Sequence, residues 1–183
     1  MRHLAVAALI VVGIQEKDTK IRFALQHDTG AKDGVGARKL NAEEERGFEK
    51  ELRALPAVKE VFVKSSVATV TLQPGSTLKF TEIKAAGKRV PTPQGGFNQV
   101  VFNSLKLEGR VTLTLQVEKN REKVKDALKT GPVREVSETA DGWECRIAAP
   151  GADVIGLVKN VCAKCGVEYR IFDILKDIAW HSP

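Results

Sequence analysis

The three cysteines are the first residues in this 183-residue chain whose chemistry asks for an explanation. Cys162-Ala163-Lys164-Cys165 has the spacing of a dithiol or of a soft-metal clip, and Cys145 stands apart from it. The reactive form of cysteine is the thiolate, which is stabilised at a helix start by backbone amides and the helix dipole. Here the pair follows the apolar stripe Val154, Val158 and Val161, which places it at a helix end, where the dipole opposes ionisation. That position argues against thioredoxin-like exchange. An odd number of thiols cannot all pair within one chain, and three readings stay open. The cysteines are small core residues, or Cys145 forms a disulfide with Cys162 or Cys165, or Cys145, Cys162 and Cys165 take a soft metal with distant His181 as a further ligand.

A second cluster lies in the segment from Gln26 to Lys39, where His27, Asp28 and Asp33 offer one imidazole and two carboxylates. Such a set suits a borderline ion such as zinc if the groups converge. The competing reading is conformational, because His-Asp-Thr-Gly and Asp-Gly-Val-Gly are also ordinary turn sequences. No Gly-Lys-Ser/Thr follows the glycines, so a phosphate loop is excluded. No HExxH, paired-carboxylate signature or supported Ser-His-Asp order is present, and a non-enzymatic protein is expected.

The elements that must position these groups read as two copies of one unit. Pro56-Ala57-Val58-Lys59-Glu60-Val61 matches Gly131-Pro132-Val133-Arg134-Glu135-Val136, and Pro74-Gly75 matches Pro150-Gly151 in the same order. In the first copy, a strand over Ile21 to Gln26 precedes a helix capped by Asn41, with Glu43, Glu44 and Glu45 at its positive end and Phe48, Leu52 and Leu55 as its core stripe. Strands Val58 to Val63 and Val67 to Leu72 flank Ser65-Ser66, a helix spans Leu78 to Ala86, and a last strand covers Gln99 to Phe102. The second copy repeats this with Val111 to Val117, an Asn120-capped helix bearing Val124, Val133 to Glu138, Trp143 to Ala148, a helix from Ala152 to Cys165, and Glu168 to Ile174. Strand, helix, strand, strand, helix, strand is the order of a ferredoxin-like sandwich. The expected fold class is therefore α+β, two tandem ferredoxin-like βαββαβ sandwiches over residues 20–106 and 109–177. In the second, an antiparallel return brings the Cys162 and Cys165 end of the helix over Trp143 and Cys145.

The stretch from Leu52 to Val90 resembles the heavy-metal-associated domain. The resemblance rests on Leu55-Pro56-Ala57-Val58 before a strand, Val67-Ala68-Thr69-Val70-Thr71-Leu72 in a hairpin, and Glu82-Ile83-Lys84-Ala85-Ala86-Gly87 closing a helix. It implies a ferredoxin-like fold and, in the family, a methionine-containing Cys-x-x-Cys loop after the first strand that carries copper or another soft metal. In this chain that loop, Gln26 to Lys39, contains no cysteine and no methionine, and its counterpart Glu118-Lys119-Asn120 has no ligand at all. The expectation is a degenerate pair of such domains that binds a protein or small ligand. The alternative is a metal-binding or chaperone-like protein that takes a copper or zinc ion through His27, Asp28 and Asp33 or through the cysteines.

Composition narrows the partners. Hydrophobic residues at 43% support a core, while aromatics at 5% make that core aliphatic. The net charge of +6 is mild, and Lys84, Lys88, Arg89, Lys123, Lys125 and Lys129 read as solvated helix faces. Nucleic acid is not the expected partner, because the sheet-face aromatics that stack bases are missing from the reading. Residues 1–13 carry a cationic start and the apolar run Leu4 to Val12, which reads either as a signal peptide or as a buried strand. Both an exported (periplasmic or extracellular) and a cytoplasmic location stay open, and the run is too short to span a bilayer.

Overall fold

Ile21, Phe23, Leu25 and His27 alternate with more exposed neighbours, and this period of two builds β1 (Lys20–Asp28). The computed structural model describes residues 18–29, 36–92, 95–108, 112–117, 121–128, 133–139, 142–148, 163–164 and 175–182. It is a mixed α+β structure, rich in antiparallel strands and with few helices. Among the described residues no helix is long and apolar enough to cross a membrane.

β1 is the centre of the first sheet. The short β2 (Ala37–Arg38) pairs with its last two residues, and α1 (Ala42–Arg53) follows at once. Asn41 starts this helix with a complete capping box: its Oδ1 accepts from Glu43 N at 3.0 Å and Glu44 N at 2.9 Å, while Glu44 Oε2 accepts from Asn41 N at 2.8 Å. Phe48 and Leu52, one turn apart, are fully buried. β3 (Val58–Lys64) and β4 (Val67–Leu72) form a hairpin whose turn residues Ser65 and Ser66 have φ of 53° and 61°. Both serines sit in the left-handed region that this tight turn needs. Ser66 is held there by bonds from all its polar groups: N–H to Glu45, carbonyl to Leu25 N, and Oγ to Leu40 N. β6 (Phe97–Glu108) runs along the other edge of β1 and completes the order β6-β1-β4-β3. Where the β1–β6 register shifts, Ser104 Oγ takes the Ala24 N–H at 2.6 Å in place of a backbone carbonyl.

The second sheet contains β7 (Thr112–Val117), β8 (Val133–Thr139), β9 (Gly142–Ala148) and β10 (Leu175–His181), in the order β10-β7-β9-β8. In chain order this is last, first, third, second, as in the first sheet. Between β7 and β8 lies α3 (Arg121–Leu128), whose Val124 is buried. A fifth strand, β5 (Thr77–Lys79), comes from the first half and pairs with the outer edge of β10.

That pairing explains the largest departure from the expected elements. The helix expected over Leu78 to Ala86 is α2 (Phe80–Arg89), because β10 draws Thr77 to Lys79 into its sheet. The residue before α2 is Lys79, whose ammonium has no lone pair to offer the helix amides. Asp177 of β10 takes that role: Oδ1 accepts from Thr81 N at 3.1 Å and Oδ2 from Thr81 Oγ1 at 2.5 Å. Beside it, Phe80 meets the fully buried Trp180 edge-to-face at 6.3 Å. The first sheet's last strand is longer than the expected Gln99 to Phe102. The last strand of the second sheet is β10, ending at His181, while Glu168 to Ile174 and most of the helix expected from Ala152 to Cys165 lie outside the described residues.

The remote cap makes a clear prediction. Asp177→Ala lowers stability by about 1–2 kcal/mol. Lys79→Ser, which supplies a local acceptor, recovers a substantial part of that loss in the double variant. Urea unfolding of the four proteins of this cycle measures it, and an unchanged loss in the double variant shows that Asp177 does not act as the cap.

Candidate binding cleft

β6 forms an edge of the first sheet, and α2 packs beside it. Between them is a cleft of about 310 Å³. One face of α2 contributes Phe80, Lys84, Gly87 and Lys88, at the spacing that aligns side chains along a helix. β6 contributes Phe97 to Val100, and Phe48 of α1 closes the inner end. The helix must lie close here: a Cβ on Gly87 would come within 2.7 Å of Phe48 Cζ and 3.2 Å of the Asn98 carbonyl oxygen. Phe97 is 47% exposed at the mouth, and Lys84 Nζ stands 5.9 Å from the Phe80 ring centroid.

Asn98 joins the cleft to a buried polar cluster. His27, Glu44 and Asn98 are all nearly inaccessible to solvent. His27 Nδ1 lies 2.9 Å from Asn98 Oδ1 and 3.3 Å from Glu44 Oε1. A nitrogen between two oxygens must carry the proton, so Nδ1–H donates and Asn98 Oδ1 accepts. Arg38 clamps Glu44 with two bonds, of 2.7 and 2.8 Å. The hydrogen bonds from Arg38, followed by the Asn41 amide and the Arg38 and His27 charges, hold the Glu44 carboxyl below the usual glutamate range against the opposing effect of burial. Gly96 seals this cluster with φ of 78°, and a Cβ there would come within 2.2 Å of Asp28 O and 2.8 Å of His27 Nε2. Both its backbone angle and its lack of space require glycine.

Of the residues singled out in sequence, His27 lies on the buried face of β1 with Nδ1 engaged as above. Asp28, next along the strand, accepts from Gln99 Nε2 at 3.2 Å. Asp33, Cys162 and Cys165 lie outside the described residues, and Cys145 sits in β9 opposite Leu115 of β7 and Val136 of β8. His181 has both ring nitrogens engaged, Nδ1 with Thr77 Oγ1 at 2.8 Å and Nε2 with Thr114 Oγ1 at 2.6 Å. Among the described residues no group of three or more His, Cys, Asp or Glu side chains could hold a metal ion.

Two surface readings change. Lys84 and Lys88 line the cleft, and Arg89 pairs with Glu51 of α1, so this helix face is more than solvated charge. A strand aromatic is exposed after all: Phe62, 61% accessible, lies outward between the buried Val61 and Val63. Asn98 and Glu44 were not singled out as a pair by sequence reasoning. Their available signals were the parity of His27 with Ile21, Phe23 and Leu25, which buries the imidazole, and the Asn41-x-x-Glu44 capping pattern. No family model, curated protein or solved structure matches the chain.

The Glu44 environment sets a pH dependence. Its folded pKa is depressed, so the unfolded chain takes up this proton first as the pH falls. The stabilisation is complete above the ordinary glutamate value of about 4.3 and disappears as the pH drops through the lower folded value. Glu44→Gln costs about 1–3 kcal/mol at neutral pH and narrows the gap to wild type in acid. Urea unfolding across the acid range measures this, and a pH-independent gap contradicts the assignment.

Proposed function

We propose that this is a non-enzymatic binding protein built from two ferredoxin-like units, similar to heavy-metal-associated domains that have lost the metal loop. In this reading the work has moved from the loop after the first strand to the cleft between α2 and β6. The strand orders β6-β1-β4-β3 and β10-β7-β9-β8 support the architecture, since each is the order of that sandwich. The observation that carries the function is the cleft itself. Phe48, Phe80, Phe97 and Val100 supply an apolar body, and the other described side chains that line it are two lysines and two amides. Its volume of about 310 Å³ suits one small ligand at the lower end of the usual range of about 300–1,000 Å³. Among the described residues that line it, none is a thiol, hydroxyl, carboxylate or imidazole, which favours capture over catalysis.

The uncharged dye Nile red tests this reading on the full chain. It is expected to bind with a blue-shifted emission, and Phe97→Ala weakens it about tenfold, the equivalent of about 1.4 kcal/mol of lost contact. Phe97 is already half exposed, so its truncation leaves the fold intact. Absence of binding, or binding that Phe97→Ala does not alter, overturns the cleft as the site.

A further inference from the structure

The polarity of the cleft follows from the cluster behind it. Arg38 donates to Glu44, leaving Glu44 an acceptor toward the imidazole. His27 Nδ1–H therefore donates to Asn98 Oδ1, with Glu44 Oε1 3.3 Å from the same nitrogen. The amide cannot turn over without setting its NH₂ against that N–H. Its other atom, Nδ2, is thereby fixed as a donor, and it is buried with no hydrogen-bond partner among the described residues. A buried donor without a partner is uncommon and calls for an acceptor. Asn98 is also one of the residues that line the cleft, with Lys84 and Lys88 one helical turn apart on the opposite wall. Among the described residues that line it, none is acidic.

We infer that the ligand of this cleft is an amphipathic carboxylate, a short aliphatic or aryl body with one anionic head. The body occupies the space between Phe48, Phe80 and Phe97, and the carboxylate takes the Asn98 amide and the two ammonium groups. Charge-assisted bonds of this kind are the stronger class. The inference rests on the cleft reading above and adds the chemistry of the head group.

Calorimetric titration of the full chain at neutral pH and low salt with decanoate and with decanol, which share one tail, separates the two claims. Decanoate is expected to bind about tenfold or more tightly than decanol. Lys84→Gln with Lys88→Gln abolishes the preference, so that decanoate binds this variant no more tightly than decanol does. Asn98→Asp keeps an acceptor for His27 but sets a carboxylate in place of the amide, so decanoate falls below decanol. If Asn98→Asp does not fold, the lysine pair still decides the matter, because those side chains lie at the cleft mouth. Equal affinities for the two ligands, or a decanoate preference that survives the lysine changes, overturn the carboxylate inference and leave the cleft standing. Binding of neither ligand, together with failure of the Nile red test, overturns both.

Discussion

Helix α2 is held at its two ends by segments that lie far apart in the chain, and those contacts fix the helix that forms one wall of the cleft. At the amino-terminal end, β10 supplies three ties. It pairs with β5, it places the Asp177 carboxylate on the Thr81 amide, and it sets Trp180 against Phe80. Toward the other end, Gly47 and Gly87 let α1 and α2 approach so closely that a methyl on either would collide with Val90 or Phe48. The cleft between α2 and β6 takes its apolar lining from Phe48, Phe80, Phe97 and Val100, which belong to three different elements.

The buried polar cluster is the counterpart of this packing. Glu44 completes the cap of α1, clamps Arg38 and orients His27 with the same two oxygens. One carboxylate thus links the start of a helix, the end of β1 and, through Asn98, the start of β6. Burying a charge is costly unless it is paired and hydrogen-bonded, and here each oxygen has partners. The arrangement also removes freedom from the imidazole, so the protonation of one ring nitrogen is decided by geometry.

Much of this architecture was legible from local pattern. The alternation in β1, the Asn41 cap, the stripe of Phe48 and Leu52, the hairpin around Ser65-Ser66 and the pairing of β8 with β9 are set by neighbours in sequence, and they lie close to where periodicity places them. The harder features depend on residues that are distant along the chain. β5 is a strand only because β10 accepts it, and three residues cannot announce such a partner. Asp177 caps a helix that begins 97 positions earlier by bonding Thr81 across a separation of 96. Phe62 reads as one more apolar residue in Val61-Phe62-Val63, and only its parity in β3 exposes it. His27 carried a clear signal, its place in phase with three apolar residues, which favours a satisfied buried histidine over a loop ligand.

By itself, the sequence determined most of the strands, the capped first helix and the absence of cysteine and methionine between Gln26 and Lys39. Those properties follow from side-chain period, local hydrogen bonding and residue type, which act over a few positions. The tertiary structure decided what the chain could do with them. It joined the two halves through β5 and β10, left a cleft beside Gly87, and turned Asn98 into a buried donor. These outcomes depend on which surfaces meet and which polar groups remain unmatched when they do. A donor's lack of a partner is a property of its whole surroundings, and no residue can display it alone.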